Sequence, residues 1–597
     1  MLRLNILQYS SVMESSNRLY GPRPMDASKR QIRLIYIQPA RSFEDPVVCE
    51  LKCCCLTDTE LQYTTLSYCW GQPAFDSTLI CNNIAVHITA NLHYALRRVR
   101  QASFGLPIWV DQICIDQSNL QERSEQIQIM ISIYRGSKRL FIYIGEEDGT
   151  TDAAFGFLQQ MLQELTTHDG FLGLDVPGNI IDFNDQLRAS LSFMDLILRD
   201  WFSRVWVLQE VYVSHDPIVI CGSKKLLWSS IGDVLEHIVK NAGRQNPVIR
   251  KTQLLYDIAM YWPYDHGPDD RFPLIYLLQV ARSFQASDPR DKIYALLGLA
   301  SDCTEFPAPE YSLSVEKVYK DTAEILYSQG WGLGCLMQAG LHQQSSRNMP
   351  SWVPDWSSAS DRQAWVPNIY PEGASQCTRY IQLASRKADT LSLIGRRLGK
   401  VTACASQSPP STRWSDRCLC VLESAIGMLA STSQTLDPYD DIVLQSLCNL
   451  LRNDGTNGIK NLSNRDPDLL KRLLIDLGKG LGSMAEFGEI ILGSNTESSI
   501  IHDFQESNEY SGFYITILSA LSHINVALTL SAIPSLVPPL TREDDVVFLV
   551  KNATAPIILR PTDAGAYYLV GIAYVRGLLC DQRTGSPDSG IDTIMLI

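Results

Sequence analysis

The chain has 597 residues, a net charge of −14 and 45% hydrophobic residues. This apolar content is sufficient for packed cores and excludes a largely disordered chain, and the length predicts roughly two to four domains. The acidic balance, with no basic run to offset it, disfavours nucleic acid as a partner because the phosphate backbone would be repelled.

Four regions are predicted in chain order. Residues 1–30 are polar and are expected to be a loose leader, residues 31–222 an α/β domain, residues 223–390 a mainly helical region, and residues 391–597 a mixed region with a small β-rich end. The N-terminus lacks a basic end followed by a long apolar core, so no signal peptide is expected. The most apolar long stretch, residues 513–537, is interrupted by polar residues and predicts a buried helix or strand pair rather than a membrane span.

The cysteine pattern bears on the cellular compartment and on metal binding. The chain has 16 cysteines but no Cys-x-x-Cys pair, which disfavours a zinc ribbon or a thioredoxin-like centre. Scattered cysteines without a signal peptide are typical of a reduced environment. The sequence therefore predicts a cytoplasmic protein without a metal site.

The first elements of the α/β domain are predicted to be strands. Residues 31–37 alternate in polarity, and residues 47–56 are expected to pair with them. The run YTTLSYCWG, residues 63–71, is rich in β-branched and aromatic residues and predicts a strand that glycine ends. Ser67 and Tyr68 lie near its carboxyl end, where their hydroxyls are available for a ligand.

The next stretch predicts a strand, a polar loop, a helix and a second strand. Residues 108–110 are a short apolar run, and Asp111 follows at the strand's carboxyl end, where open α/β sheets bind their ligands. Ser118 and Gln121 fit a capping box at the start of the helix. Residues 140–144 form the second buried strand. Two buried strands joined through a helix indicate a parallel sheet.

A further helix is predicted within residues 200–213, with Ser203 as a possible cap. Glu210 lies one turn beyond Trp206 on a neighbouring face. Residues 217–221 then predict a short strand, which is expected to be the edge of the domain.

Several of these polar and aromatic residues have two interpretations. Asp111 and Asp116 could bind a ribose hydroxyl or a metal, but hydrogen bonds to loop amides are favoured over both. Glu122, at the start of a helix, is expected to complement the helix dipole and to tie down the preceding loop. Trp70 and Trp206 could stack on a base, or they could be core aromatics whose N–H groups need partners.

Three segments resemble the fungal heterokaryon-incompatibility (HET) domain: YTTLSYCWG at 63–71, IWVDQICIDQSNLQER at 108–123 and SRVWVLQE at 203–210. Their order and content together carry the resemblance. Weaker similarity to long HET-domain proteins continues at SDPRDKIYALLGLA, residues 287–300, and in the C-terminal part of the chain.

The resemblance implies a fold, a role and a set of site residues. The HET domain is similar to the Toll/interleukin-1-receptor (TIR) fold, which implies a parallel sheet flanked by helices. The family acts in fungal non-self recognition, where incompatible cell fusions trigger growth arrest and cell death. Some TIR domains hydrolyse NAD with a glutamate at the position that matches Glu210, so Glu210 becomes the candidate catalytic residue. The residues expected to bind a ligand beside it are Ser67, Tyr68, Trp70, Asp111 and Trp206.

Two hypotheses for the function follow from the resemblance. In the first, the chain is a cell-death effector that acts through self-association or partner binding, with NAD as the candidate substrate of an additional hydrolysis. In the second, it is a recognition or scaffold module without catalytic activity, and Glu210 is a structural residue paired with a nearby arginine. Convergence of Glu210, Ser67 and Asp111 on one cleft would favour the enzyme.

Overall fold

The fold comes from a computed structural model in which the chain forms two compact units. Unit 1 comprises Met1–Leu277 with Phe284–Ser314, and unit 2 comprises Leu278–Ser283 with Val315–Ile597. The structure describes residues 19–20, 25–71, 74–100, 105–168, 183–242, 272–341, 348–358, 381–385, 389–405, 414–433, 470, 525–530, 533–551, 553, 555–575 and 592–597. Most of the predicted leader, residues 1–30, lies outside these ranges. The predicted boundaries at 222 and 390 divide the chain differently from the two units and stay predictions.

Unit 1 is organised around a nine-stranded mixed sheet in the order β5-β4-β2-β1-β6-β3-β7-β8-β9. Its strands are β1 Gln31–Ile37, β2 Val48–Cys55, β3 Thr64–Tyr68, β4 Ser77–Cys81, β5 Ile84–Ile88, β6 Ile108–Trp109, β7 Arg139–Tyr143, β8 Ile218–Cys221 and β9 Lys224–Leu227. The central strands β6, β3, β7 and β8 are parallel to one another. Strand β1 is antiparallel to β6 on one side, and β9 is antiparallel to β8 on the other.

The helices of unit 1 connect or cover these strands. They are α1 Ala90–Arg100, α2 Asp111–Cys114, α3 Leu120–Gly136, α4 Thr151–His168, α5 Phe183–Ile197, α6 Trp206–Tyr212, α7 Trp228–Ala242, α8 Leu274–Val280, which continues into unit 2, and α9 Asp291–Leu297. A 3-10 helix at Asp200–Ser203 precedes α6. Helix α1 buries Leu92, Ala95, Leu96 and Val99, which recur at the spacing of one helical face.

The sequence patterns explain why these strands form. All five residues of β3 are buried, as expected for a central strand covered on both faces. Strand β1 has the predicted limits, residues 31–37, and pairs along its whole length with β2. The predicted parallel sheet is confirmed for the central strands, whereas the margins are mixed, because β2 and β4 are parallel but the pairs β1–β2, β4–β5 and β8–β9 are antiparallel. The edge is β9 rather than the predicted residues 217–221, because a turn at Gly222 adds one more strand.

Two predicted helix caps are wrong. Helix α3 is capped by Asn119, whose side chain accepts hydrogen bonds from the amides of Gln121 and Glu122, and Ser118 instead bonds Asp116. Asparagine is as good a cap as serine, so the pattern permitted either start. Ser203 does not cap α6 either, since its hydroxyl donates to the carbonyl of Asp200 within the preceding 3-10 helix.

Unit 2 contains a second sheet of nine strands and several helices. The helices are α10 Val315–Ser328, α11 Gly332–Gln338 and α12 Trp414–Ser433. The strands are β10 Ile381–Ser385, β11 Thr390–Cys404, β12 Asn525–Thr529, β13 Ile533–Val537, β14 Val546–Val550, β15 Ile557–Pro561, β16 Tyr567–Ile572, β17 Tyr574–Val575 and β18 Asp592–Leu596. The predicted β-rich C-terminal module is confirmed.

The apolar stretch at 513–537 supplies a strand pair where the structure describes it. Strands β12 and β13 pair antiparallel, and residues 513–524 lie outside the described residues. Among the helices that the structure describes, none combines the length and the hydropathy needed to cross a membrane.

Candidate functional site

The candidate site lies at the carboxyl ends of the central strands of unit 1. Ser67 and Tyr68 are the last residues of β3, and Asp111 begins α2 directly after β6. Because β3 and β6 are parallel neighbours, their carboxyl ends meet at the same edge of the sheet. Helix α6 brings Glu210 to this edge. The structure thus brings together three of the predicted site segments.

Ser67 connects Glu210 to a tryptophan that the sequence did not single out. The Ser67 hydroxyl accepts a 2.7 Å hydrogen bond from Trp201 Nε1 and donates to Glu210 Oε2. An indole N–H can only donate, so the Ser67 oxygen accepts there and its own hydrogen is directed at the carboxylate. This direction of the hydrogen bond favours the ionised form of Glu210, which accepts it.

Arg204 provides the positive charge of the cluster. Its guanidinium donates to the Tyr68 carbonyl, and Nη2 lies 3.9 Å from Glu210 Oε1. Burial alone would lower the pKa of Arg204, but the charges of Glu210, Cys69 and Asp111 raise it above its ordinary value. Arg204 is therefore charged at every physiological pH.

Glu210 is buried, with 4% of its surface exposed. Burial raises the pKa of its carboxyl group, and the charge of Asp111 raises it further, whereas Arg204 and the hydrogen bond from Ser67 lower it. Burial and a nearby acid favour the protonated form, and the cation and hydroxyl favour the anion. The arrangement resembles both a tuned catalytic acid and a structural carboxylate paired with arginine.

Asp111 joins the cluster through Trp70. Its carboxylate accepts a 2.8 Å hydrogen bond from Trp70 Nε1 and a 2.7 Å bond from the Gln112 amide. Burial raises the pKa of Asp111, opposed by Arg204 and by these donors. Burial also raises the pKa of the Tyr68 hydroxyl, and the charge of Asp111 contributes to this shift. Two acids, one cation and a tyrosine hydroxyl therefore influence one another electrostatically.

Two neighbouring groups are unsuited to chemistry at this edge. Burial raises the pKa of the Cys69 thiol to about 11, so it stays protonated at neutral pH and is a poor nucleophile. Asp116 accepts hydrogen bonds from the amide and hydroxyl of Ser118, which is the loop role expected for it. Among the described residues, no group of three or more His, Cys, Asp or Glu could hold a metal ion.

Trp206 is held by a different part of unit 1. Its Nε1 donates a 3.0 Å hydrogen bond to Asp291 on α9, while Glu210 on the same helix bonds Ser67. The indole N–H of this partly buried tryptophan thus already has a partner. Arg204 and Trp201 are the site residues that sequence reasoning missed, although Arg204 lies within the resembling segment SRVWVLQE and Trp201 lies two residues before it.

Comparison with known proteins identifies the part of the chain that carries this cluster. The family model described as heterokaryon incompatibility protein (HET) matches residues 63–210. Residues 63–210 are therefore a HET domain. The match begins just before β3 and ends at Glu210, so it contains Ser67, Asp111 and Arg204 as well.

A curated relative agrees with this assignment. The chain is 25% identical to heterokaryon incompatibility protein 6, OR allele, of Neurospora crassa, over 59% of the chain and 62% of the relative. The chain thus spans less than two thirds of the relative's length. No solved structure matches the chain.

Proposed function

We propose that this HET-domain protein acts in vegetative incompatibility, as a cytoplasmic effector that arrests growth and kills the cell after self-association or partner binding. The observation that supports the proposal is that the HET match contains the complete Ser67–Arg204–Glu210 cluster. The name of the Neurospora crassa relative supports the same role. A buried polar cluster of this kind fixes α6 in one position on the sheet.

Expression of the full chain in a permissive fungal cell tests this role. We expect induction of the wild-type chain to stop colony growth and reduce the number of viable cells. Glu210→Gln keeps the size of the side chain but removes its negative charge beside Arg204, so we expect growth to be largely restored. Glu60→Gln, at an exposed position, removes the same charge elsewhere and should remain as toxic as wild type.

The comparison requires equal amounts of each protein, measured by immunoblot. Normal growth of cells that contain the wild-type chain at the level of the variants would contradict the effector role.

NAD hydrolysis by a TIR-like domain is the second candidate function. It is supported by the carboxylate of Glu210 at the strand ends, since a carboxylate beside the ribose stabilises the cation that develops as nicotinamide leaves. Ser67 would orient Glu210, and Tyr68, Trp70, Asp111 and Trp206 are the proposed ligand-binding residues. The alternative is a recognition module without catalysis, supported by the burial of Glu210 and its contact with Arg204.

An NAD consumption assay with the purified full chain separates these two alternatives. If the enzyme hypothesis is correct, we expect release of nicotinamide by wild type and by Glu60→Gln, and a loss of roughly 100-fold or more in Glu210→Gln. Equal rates in wild type and Glu210→Gln would remove Glu210 from the catalytic role. Growth arrest without any NAD consumption would favour the recognition module.

A further inference from the structure

Residues 284–314, called here the clamp segment, form a discontinuous part of unit 1. The chain on both sides, Leu278–Ser283 and Val315 onwards, belongs to unit 2. The clamp segment also lies outside the residues that the HET family model matches, 63–210. Several of its contacts are nevertheless with the stretch of chain that carries Arg204 and Glu210.

The beginning of the clamp segment pairs with the backbone around Arg204. Gln285 forms a parallel β-bridge with Arg204. In this bridge the amide of Val205 donates a 2.9 Å hydrogen bond to the Gln285 carbonyl, and the Gln285 amide donates to the Ser203 carbonyl. The backbone is thus held on both sides of Arg204.

Asp291, the first residue of α9, attaches the clamp segment to α6. The residue is 6% exposed, and each carboxylate oxygen accepts a different hydrogen bond. Oδ2 accepts from Trp206 Nε1 at 3.0 Å, and Oδ1 accepts from the Tyr311 hydroxyl. A buried carboxylate with both oxygens occupied fixes its partners, because loss of either bond would leave a buried donor unpaired.

The C-terminal end of α9 packs against the same helix. A Cβ atom on Gly298 would lie 2.4 Å from Gln209 Nε2 and 3.1 Å from the Ile131 side chain. A larger residue at position 298 would require the Gln209 side chain to move. At the other end of the clamp segment, the Tyr311 ring packs under the guanidinium of Arg123, 4.1 Å from the ring centroid.

These contacts divide α6 and the residues before it between two neighbours. The backbone at Ser203 and Val205 and the side chains of Trp206 and Gln209 contact the clamp segment. The side chains of Arg204 and Glu210 instead reach the end of β3. The position of Arg204 and Glu210 on the sheet therefore depends on how the clamp segment holds α6 from its other side.

We propose that the clamp segment is an integral part of the functional HET unit, and that Asp291 is a positioning residue that sets the place of α6, and thereby of Arg204 and Glu210. The importance of Asp291 for growth arrest rests on the proposed function, whereas the effect of Asp291 on the position of α6 does not. The HET unit of this chain then extends to residue 314 and is incomplete when it ends at Glu210.

Hydrogen exchange of the purified full chain tests the positioning role. We expect the amides of residues 206–212 to exchange roughly tenfold faster in Asp291→Ala than in wild type, because two buried donors lose their acceptor. Trp206→Phe keeps an aromatic ring but removes the N–H group, and it should accelerate the same amides to a smaller extent. The amides of β7, residues 139–143, should exchange as in wild type and serve as the internal reference.

The controls distinguish a local effect on α6 from a general loss of stability. Tyr311→Phe removes the other donor to Asp291 but retains the Trp206 bond, so α6 should remain close to wild type. Asp288→Ala removes the ion pair with Arg290 and the hydrogen bond from the Arg290 amide, but it removes no hydrogen bond to the Asp291 carboxylate and should also leave α6 protected. In the growth assay, Asp291→Ala should lose toxicity together with Glu210→Gln.

Two results together would overturn the inference. The first is that Trp206→Phe leaves the exchange of residues 206–212 unchanged. The second is that Asp291→Ala either leaves the exchange of α6 unchanged or accelerates the exchange of β7 equally. A wild-type chain that fails to arrest growth would instead remove the proposed function, and the exchange result would still decide the role of Asp291. The two failures are therefore distinguishable.

Discussion

Replacement of Arg33 by methionine is expected to lower the free energy of unfolding of unit 1 by about 3–5 kcal/mol. Arg33 on β1 and Glu122 on α3 form a bidentate ion pair, with distances of 2.6 and 3.1 Å. Their side chains are 7% and 4% exposed. Methionine fills most of the space of the arginine but leaves the Glu122 carboxylate buried without its cation, which is the costly half of a broken pair.

The loss should be measured from the slowest amides of β1 and β3, whose hydrogen exchange reports the opening of the whole unit. The control is the double variant Arg33→Met with Glu122→Leu, which removes both charges. We expect it to recover most of the lost stability, because a buried pair replaced by apolar residues is often neutral. A single variant as stable as wild type would contradict the stabilising role of the Arg33–Glu122 pair.

Replacement of Arg204 by methionine is expected to destabilise unit 1 by about 3 kcal/mol at pH 7. Arg204 is the cation nearest to Glu210 and the group that most lowers its pKa. Without it, burial and the charge of Asp111 act unopposed by a cation, and the pKa of Glu210 rises further. The Tyr68 carbonyl also loses its donor.

This loss should depend on pH in a defined direction. A carboxyl group with a raised pKa in the folded state favours folding while it is protonated, and this contribution is lost as the pH rises through the folded pKa. The free energy of unfolding of Arg204→Met should therefore fall furthest below that of wild type near neutral pH. The difference should become smaller toward the ordinary glutamate pKa of 4.5. Unfolding of both proteins between pH 4 and 8, about the range in which a raised carboxyl pKa lies, measures this difference.

The control is Glu210→Gln in the Arg204→Met background. Glutamine cannot ionise, so the double variant should show much less of the pH dependence and be more stable than Arg204→Met at neutral pH. A deficit of Arg204→Met that stays constant with pH would contradict the assignment of Glu210 as the titrating group.

The strands of unit 1 could be predicted from local sequence because their patterns are short and unambiguous. The run at residues 31–37 and the buried run at 63–71 contain the β-branched and aromatic residues that strands favour. The carboxyl ends of neighbouring parallel strands meet by geometry alone, so the proximity of Ser67 and Asp111 followed from the predicted topology. The resemblance supplied Glu210.

Other features depend on contacts between distant residues, which no local pattern reports. Glu122 was expected to complement the helix dipole and tie down the loop, and it does accept a hydrogen bond from the Asp116 amide. Its buried pairing with Arg33, 89 residues earlier, was not predicted. Nothing near Trp206 indicates that Asp291 is its partner. Arg204 lies within a recognisable segment and Trp201 lies just before it, but their roles depend on contacts with Tyr68 and Ser67 of β3.

The discontinuity of unit 1 affects when its parts can fold together during synthesis. A ribosome adds residues from the N-terminus, so Trp206 and Glu210 emerge well before Asp291, which follows Trp206 by 85 positions. During that interval the Asp291 carboxylate is not available to the indole N–H of Trp206. The nascent chain also lacks the contacts between the clamp segment and α6. If the clamp segment completes the HET unit as proposed, α6 reaches its final position only after residue 314 has been synthesised, and a chain that stops between residues 210 and 284 would lack these contacts.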